Sequence, residues 1–240
     1  MKQKEQSPTF KSDIKEGVVS ASPVVIGYLP VAIAFGLLAK NTGISFGDTS
    51  FFSILVYAGA SQFMALDLIN AGVSAGSIIL ATFLLNLRHL MMSASISIKL
   101  ENIKKIYIPL ISYGITDETF SVLSFKEGKL TLPYVLTVNV LSNLSWISGT
   151  IIGYLVGEII PAALQSSLSI GLYAMFAALL FPNLKGNRNI LILSAMSALI
   201  YAIIYMTRIF SSGWDIIIGI VLSSALGVMI FDKGEEVEKN

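Results

Sequence analysis

Two adjacent acidic residues, Asp117 and Glu118, lie near the middle of an apolar run, 106–125, that carries no other charge. The run has about the 20 residues that a helix needs to cross a bilayer. A carboxylate at that depth costs about 3 kcal/mol on insertion scales, so such residues usually face a polar pathway inside a helix bundle. The two acids therefore indicate a protein that moves something across a membrane.

A second charge lies at similar depth in the neighbouring apolar run, 76–98, where Arg88 is followed by His89. The planar guanidinium of Arg88 suits a carboxylate, either of a substrate or of Asp117. We favour the internal acid, because each charge then offsets the desolvation of the other. Asn86 and His89 share a helix face at i and i+3, and we interpret both as supporting polar groups rather than as ligands or acid-base centres.

The two acids need not share a role. On a continuous helix Tyr113, Asp117 and Ser121 lie at i, i+4 and i+8 and form one polar stripe. Glu118 points about 100° away from Asp117. A carboxyl group in a low-dielectric bundle holds a proton more readily than in water, which suits a proton carrier. We predict that Asp117 pairs with Arg88 and that an unpartnered Glu118 couples to protons; which acid titrates stays open, and both could instead be structural.

The composition decides the class of protein. Charged residues make up 13% of the 240 and hydrophobic residues 54%, with a mean hydropathy of +0.76. Soluble domains carry about 25% charged residues, so an all-α polytopic protein of the lipid bilayer is predicted. The net charge of +1 gives no support for nucleic-acid binding. The chain has no cysteine and one histidine, so we expect neither a thiolate site nor a metal or other cofactor.

Apolar runs predict about eight transmembrane helices in one transport domain, 17–231, between cytoplasmic tails at 1–16 and 232–240. The short second run could be a re-entrant hairpin instead. The predicted spans are 17–40, 50–68, 76–98, 106–125, 130–157, 159–182, 189–207 and 214–231.

The basic residues predict the orientation, because cytoplasmic loops carry an excess of Lys and Arg. With eight spans and the N-terminus inside, ten basic residues are cytoplasmic and five are external, which favours both termini in the cytoplasm. The cytoplasmic set is Lys2, Lys4, Lys11, Lys15, Lys126, Lys129, Lys185, Arg188, Lys233 and Lys239, and the external set is Lys40, Lys99, Lys104, Lys105 and Arg208.

The first span contains Pro23, Gly27 and Pro30, and each proline removes a backbone donor and clashes with the preceding turn. We predict a helix broken at this point, with a simple kinked helix as the alternative. Broken helices are where transporters bind their ligands, so these three residues are candidate binding residues.

Several amides lie at membrane depth in other spans. Gln62, Asn139 and Asn143 can bridge helices or recognise an amino or carboxylate group without carrying charge. Gln62 and Asn143 are candidate substrate-binding residues, and Asn139 is a supporting polar group.

Small residues predict close helix packing. Gly149, Gly153 and Gly157 follow one another at four-residue spacing, which is the small-residue packing signature. Phe35-Gly36 also echoes Ile152-Gly153, and Tyr57-Ala58 echoes Tyr173-Ala174, at separations of 117 and 116 residues, which allows a weak inverted repeat.

A set of motifs resembles the AzlC family, the large subunit of bacterial branched-chain amino acid exporters. The resemblance runs from about Gly17 to Phe231. Its motifs are Pro23-x-x-x-Gly27-Tyr28-x-Pro30, Phe35-Gly36, Tyr57-Ala58-Gly59-Ala60-Ser61-Gln62, Asn86-Leu87-Arg88-His89, Thr116-Asp117-Glu118 and Asn143-x-x-Trp146-x-x-Gly149-Thr150.

This resemblance implies export of leucine, isoleucine and valine, together with methionine or analogues. It also implies a bacterial inner membrane and a small multispanning partner of the AzlD type. The amino acid is then expected beside the break between Pro23 and Pro30, with its carboxylate on freed amides and its ammonium on Gln62 or Asn143.

The energy source is inferred from missing motifs. The sequence has no Gly-x-x-x-x-Gly-Lys-Ser/Thr loop and no evident coupling loop of importer permeases, so a secondary carrier driven by a proton gradient or membrane potential is favoured. A membrane-embedded hydrolase or protease using Asp117, Glu118 and His89 is the alternative, although its usual motifs are absent. A scaffold subunit for a partner transporter is the third reading.

Overall fold

The computed structural model describes residues 10–100, 103–157, 181, 184, 188–207 and 214–231. Within these ranges the chain is helical and has no strand. Four helices, α1, α4, α7 and α8, are long and apolar enough to cross a bilayer, which confirms the all-α membrane class. The described helices are α1 (Phe10–Asn41), α2 (Phe46–Leu55), α3 (Gly59–Asn70), α4 (Ala75–Ser97), α5 (Ile108–Tyr113), α6 (Asp117–Phe125), α7 (Leu132–Val156), α8 (Arg188–Thr207) and α9 (Trp214–Phe231).

The chain divides into two compact units. The first contains Met1–Gln62 and Asn86–Leu168, and the second contains Phe63–Leu85 and Ser169–Asn240. In the second unit Leu68 and Ala81 form a small apolar cluster. The predicted spans 189–207 and 214–231 correspond there to α8 and α9, whereas the predicted span 159–182 and the tail 232–240 lie outside the described residues except for residue 181.

The core of the first unit is the pair α1 and α7, which run parallel. Thr131 Oγ1 donates to Asp13 Oδ2 at 2.7 Å beside the beginning of both helices. Lys40 Nζ lies 5.4 Å from the centroid of the Tyr154 ring near the end of both. The inverted repeat that the 117-residue echo allowed relates these same two helices, so their common direction shows that the inversion is wrong for this pair.

Glycines bring the two helix backbones together. A Cβ atom added at Gly149 would lie 2.7 Å from the Ala32 side chain, and one added at Gly153 would overlap the Ile33 carbonyl. A Cβ at Gly36 on the facing helix would overlap the Thr150 carbonyl. The prediction of small-residue packing is therefore confirmed.

Helix α1 is continuous from Phe10 to Asn41, so the predicted break is wrong. The carbonyl of Val19 loses its helical donor at Pro23, and Ser22 Oγ donates to it at 2.8 Å. A membrane helix tolerates proline when a neighbouring side chain satisfies the freed carbonyl in this way. The packing of the opposite face against α7 then holds α1 in one piece.

The breaks lie in two other segments. The second predicted span, 50–68, is divided into α2 and α3 at Val56–Ala58, where Tyr57 has a φ of 43°. The fourth, 106–125, is divided into α5 and α6 at Gly114–Thr116. A continuous helix over 106–125 is therefore wrong, and so is the continuous polar stripe of Tyr113, Asp117 and Ser121.

Local capping explains the second break. Thr116 has extended backbone, with φ −123° and ψ 178°, and its side chain accepts from Thr119 N. Thr119 Oγ1 in turn accepts from Thr116 N at 2.8 Å and donates to Gly114 O at 2.8 Å. This reciprocal capping box begins a new helix at Asp117.

The segment from α5 to α6 begins and ends at the same end of the first unit. Lys99 Nζ donates to Ser124 O at 2.6 Å and to Lys126 O at 2.7 Å, and Leu130 N donates to Lys99 O at 2.9 Å. Lys126 also pairs with Glu16 of α1. We call this the basic end. The assignment of Lys99 and Lys126 to opposite sides of the membrane is therefore wrong, because 106–125 folds back as a helical hairpin, which we interpret as re-entrant.

Candidate functional site

The two helix breaks meet at one residue of α1. Tyr28 lies about 22 Å along α1 from Asp13, near mid-depth of the helix. Its ring centroid is 6.4 Å from that of Tyr57 at the first break. The Tyr57 and Tyr113 rings, one from each broken segment, are 5.8 Å apart, and the Tyr113 hydroxyl donates to Ile54 O at the end of α2. Two interrupted helices therefore present their tips to each other inside the first unit.

Arg88 and Asp117 form an ion pair at the second tip. Arg88 Nη1 lies 2.9 Å from Asp117 Oδ2, and the side chains are 32% and 26% exposed. Asp117 is in the first turn of α6, where a negative charge also complements the positive end of the helix dipole. The structure thus brings together the two charges that were predicted to pair, and what they do in transport stays a prediction.

Glu118 points to a different partner, as the 100° offset from Asp117 predicts. The Tyr28 hydroxyl donates to Glu118 Oε2 at 2.6 Å and lies 2.5 Å from Thr116 Oγ1. The expectation that Glu118 lacks a partner is therefore wrong. This partner is a neutral phenol, and no ion pair to Glu118 occurs among the described residues. Its charge is thus hydrogen-bonded but not paired with a cation.

A buried hydrogen-bond network lies beside the tips and connects α2, α3 and α7. Trp146 Nε1 donates to Gln62 Oε1 at 3.0 Å, and Gln62 Nε2 donates to Ser53 Oγ at 3.2 Å. Ser53 Oγ lies 2.8 Å from Thr150 Oγ1. Gln62 thus bridges helices in this structure, and binding of substrate by its amide stays a prediction.

The other predicted amides hold the breaks in place. Asn86 Nδ2 donates to Ser61 Oγ in the first turn of α3 at 3.1 Å. Asn139 Nδ2 donates to Ile111 O of α5, and Asn143 Nδ2 donates to the Tyr113 hydroxyl, each at 3.1 Å. These contacts connect helices, which is the commoner use of amides in membranes.

The binding residues predicted on α1 do not belong to this site. Pro23, Gly27 and Pro30 are exposed, and a Cβ atom at Gly27 would meet nothing within 4 Å. Since α1 is unbroken, it has no freed amides there for a substrate carboxylate. Substrate binding at these three residues was predicted from a broken helix, and α1 is not broken.

Sequence reasoning gave no role to Tyr28 or Tyr57. The sequence contained a signal for Tyr28, because apolar residues recur around it at the helical spacings of three and four. The structure buries all of them: Ala21, Val24, Tyr28, Val31 and Phe35. Nothing comparable marks Tyr57, whose positive φ is an outlier for a bulky residue and depends on its tertiary contacts.

The site offers paired charges and hydrogen-bonding groups rather than metal ligands. No group of three or more His, Cys, Asp and Glu residues in the described part of the chain is placed to hold a metal ion. The arrangement of Arg88, Asp117, Glu118 and the tyrosines can bind a small polar or charged molecule and can transfer protons between oxygen atoms.

Comparisons with known proteins connect this site to a family. The family model described as AzlC protein matches residues 23–160, which include both breaks and the ion pair. An uncharacterized membrane protein of Archaeoglobus fulgidus is 37% identical over 72% of this chain and 77% of its own length. The inner membrane protein YgaZ of Escherichia coli is 30% identical over 75% of this chain and 77% of its own length.

A more distant relative has a functional name. The branched-chain amino acid transport protein AzlC of Bacillus subtilis is 26% identical over 57% of this chain and 54% of its own length. No solved structure is significantly similar to the chain.

Proposed function

This chain belongs to the AzlC family of membrane proteins, and we propose that it exports branched-chain amino acids from the bacterial cytoplasm as a secondary carrier. The substrate class comes from the name of the Bacillus subtilis relative. The inner membrane location follows the name of the Escherichia coli relative. Leucine, isoleucine and valine are the proposed substrates, with methionine or analogues as weaker ones.

One observation carries the proposal: the tips of two interrupted helices meet beside an ion pair in a membrane protein. Interrupted helices leave backbone amides and carbonyls at membrane depth, and carriers use such groups to bind substrates and coupling ions. Non-helical backbone is tolerated at that depth only where protein covers it or where it lines a cavity. The breaks at Tyr57 and at Gly114–Thr116 thus support a substrate pathway between the tips.

Glu118 is the proposed coupling acid. Arg88 compensates the charge of Asp117 at 2.9 Å, whereas the described residues give Glu118 only the neutral Tyr28 hydroxyl at 2.6 Å. When Glu118 binds a proton, its new O–H can donate to Tyr28, which then donates to Thr116. The hydrogen-bond chain therefore serves both protonation states by reversing its direction, with no heavy atom displaced far.

Transport is proposed here in place of hydrolysis. A hydrolase of the alternative reading needs its acids free to act on a bound water or substrate. Asp117 is paired with Arg88 and Glu118 is hydrogen-bonded to Tyr28, and the sequence has none of the usual hydrolase motifs.

The small AzlD-type partner is also part of the proposal, and family membership alone supports it. Reconstitution with and without that subunit separates a self-sufficient carrier from a scaffold, because a scaffold alone moves no substrate.

The function is tested with the purified chain in liposomes, with and without the small subunit. Labelled leucine is loaded inside, and the pH gradient and the membrane potential are set independently. We expect leucine flux that responds to the pH gradient at zero potential. Flux that follows the potential alone would exclude proton coupling, and the absence of flux with both subunits present would overturn the proposed substrate.

A further inference from the structure

Four buried side-chain atoms on residues 57–89, around the tips, have no hydrogen-bond partner in the described part of the chain. They are Tyr57 Oη, Asn86 Oδ1, Arg88 Nε and His89 Nε2. Buried polar atoms in proteins almost always have partners, and an unpaired one usually marks a missing water, ion or ligand. Leaving each one unpaired costs about 1–3 kcal/mol. Four such atoms in one region indicate that the region holds polar groups that come from outside the protein.

The contacts of Asn86 and Arg88 place these residues at the two tips. Asn86 reaches Ser61 at the first turn of α3 through its Nδ2, which places its unpaired Oδ1 at the first tip. Arg88 reaches Asp117 at the second tip. Tyr57 of the first break lies beside Tyr28, the hydrogen-bond partner of Glu118, with ring centroids 6.4 Å apart, and His89 follows Arg88 on α4. The four atoms thus come from α4 and the first break, and α6 reaches them through the ion pair of Asp117 with Arg88.

The unpaired edge of Arg88 is suited to a carboxylate. Asp117 occupies Nη1, whereas the Nε–H lies on the opposite edge of the planar guanidinium. Two parallel N–H groups on one edge of Arg bind a carboxylate with defined geometry. The internal acid therefore leaves the second carboxylate position of Arg88 unused.

The start of α3 lies at the first tip and contacts Asn86 through Ser61. Ala58 precedes the helix and has no side-chain oxygen to cap the first amides, and its first turn has no acid. The positive end of the α3 dipole is consequently uncompensated by α3 itself. Tyr57, which is only 3% exposed and whose hydroxyl has no partner among the described residues, is two residues before this helix start. By contrast, the start of α6 already has the Thr116 cap and two acids.

We infer that the cluster binds the ammonium and carboxylate groups of one α-amino acid, with Arg88 Nε and the Tyr57 hydroxyl on the carboxylate and Asn86 Oδ1 on the ammonium. The negative charge of Glu118 stabilises the ammonium. A zwitterion is the ligand class that uses unpaired donors and unpaired acceptors together. The inference rests on the proposed function and replaces the earlier site at Pro23–Pro30 with named contacts between the tips.

The experiment measures equilibrium binding to the full chain in detergent with labelled leucine. The competitors are unlabelled leucine and its two half-molecules, 4-methylpentanoate without the ammonium and 3-methylbutylamine without the carboxylate. We expect each half-molecule to compete at least about tenfold more weakly than leucine, because each lacks charge-assisted hydrogen bonds. Equal competition by a half-molecule overturns the zwitterion assignment.

Two conservative variants separate binding from structure. Arg88→Lys keeps a charge for Asp117 but removes the planar edge, and Tyr57→Phe removes only the hydroxyl. We expect both to weaken leucine binding about tenfold and to leave 3-methylbutylamine binding unchanged, since only the carboxylate contact is lost. Equal weakening of both ligands means a structural role and overturns the assignment. Tyr154→Phe is the control, because its hydroxyl donates to Ile44 O near the far end of α1.

The binding and flux experiments distinguish a wrong site from a wrong function. Flux of leucine with unchanged affinity in both variants overturns this site and keeps the proposed function. Binding with the expected variant pattern, but without flux, overturns the function and keeps the site. If leucine does not bind, thermal stabilisation of the chain by each of the twenty proteinogenic amino acids is measured. An amino acid that stabilises the natural chain but not Arg88→Lys supports the site. If no amino acid stabilises the chain, the site is overturned.

Discussion

Tyr28 of α1 and Glu118 of α6, 90 residues apart in the chain, share a hydrogen bond of 2.6 Å. The same hydroxyl lies 2.5 Å from Thr116 Oγ1, so it joins the helix cap to the acid of the following turn. Tyr28 has one proton and donates it to Glu118, which leaves Thr116 to donate to Tyr28. The order of donors along this chain depends on whether Glu118 is protonated, and this dependence can be tested in transport.

Replacing Glu118 by Gln is expected to uncouple flux from the pH gradient. Gln keeps the size and an acceptor oxygen, but it can neither load nor release a proton. Exchange of leucine between compartments at equal pH should therefore persist at a higher substrate concentration, while pH-driven accumulation is lost. Both are measured in liposomes, with Glu127→Gln at the basic end as the control. Full pH-driven flux in Glu118→Gln would mean that Asp117 carries the proton or that potential alone drives transport.

Removing the Tyr28 hydroxyl is expected to lower pH-driven flux about tenfold, because Glu118 and Thr116 both lose a buried partner worth about 1–2 kcal/mol. Tyr28→Phe and Tyr154→Phe each remove one hydroxyl, and only the first should change the dependence of flux on pH. In leucine exchange at equal pH, which Glu118→Gln is expected to keep, the double variant Tyr28→Phe with Glu118→Gln should be no slower than Glu118→Gln alone. Additive losses would show that the two residues act independently.

The sequence predicted some of the contacts in this structure and not others. Two charges at similar depth in an apolar chain were expected to approach, and Arg88 and Asp117 do so, because an uncompensated charge in the membrane is costly. The glycine spacing likewise predicted the α1–α7 contact. Each inference depends on one large free-energy contribution that the residue types alone indicate: the desolvation of charge for the ion pair, and close backbone packing for the glycines.

The positions of the helix breaks were not predicted. Pro23 and Pro30 are the stronger local breakers, yet packing against α7 holds α1 continuous. The break before Asp117 had a local signal, since Thr116 followed by two acids is typical of a helix start. The length of the apolar run matched a full span and outweighed that signal. The Tyr57 break has no signal in its residue type, because its backbone conformation is fixed by contacts with Tyr28 and Tyr113.

Neutralising one member of the Arg88–Asp117 pair is expected to be more harmful than removing both. Arg88→Gln or Asp117→Asn leaves one charge uncompensated, whereas the double variant leaves none. Since the side chains are about a third exposed, we expect losses of about 1–3 kcal/mol for the singles. The loss of stability is measured as membrane yield and thermal stability. The swap Arg88→Asp plus Asp117→Arg is a second test of the same pair. Double variants as unstable as the worse single would show that the pair contributes nothing.

Two glycines of α1 should respond oppositely to alanine. A Cβ atom at Gly36 overlaps the Thr150 carbonyl, which cannot move without shifting α7, whereas one at Gly27 has open space. Gly36→Ala should therefore lower the melting temperature and the membrane yield strongly. Gly27→Ala should be neutral or stabilising by up to about 1 kcal/mol, which is the helix propensity of alanine over glycine. Equal effects at the two positions would contradict the α1–α7 contact described here.

The basic end of the first unit carries nearly all of its described cations. They are Lys11, Lys15, Lys99, Lys104, Lys105, Lys126 and Lys129, against Lys40 near the opposite end. The positive-inside rule therefore predicts that the basic end is cytoplasmic. In this orientation Lys99, Lys104 and Lys105 are cytoplasmic, whereas the eight-span arrangement placed them outside.

Cysteine labelling tests the re-entrant hairpin and the orientation together, because the natural chain has no cysteine to remove. The single variants Lys104→Cys and Glu127→Cys flank the α5–α6 segment, and both side chains are exposed. A membrane-impermeant maleimide should label both only after the cells are permeabilised, whereas Ser45→Cys, at the opposite end, should react in intact cells. If Lys104→Cys reacts from outside and Glu127→Cys only from inside, then 106–125 crosses the membrane and the hairpin is wrong. If both react from outside, the hairpin stands and the orientation is reversed.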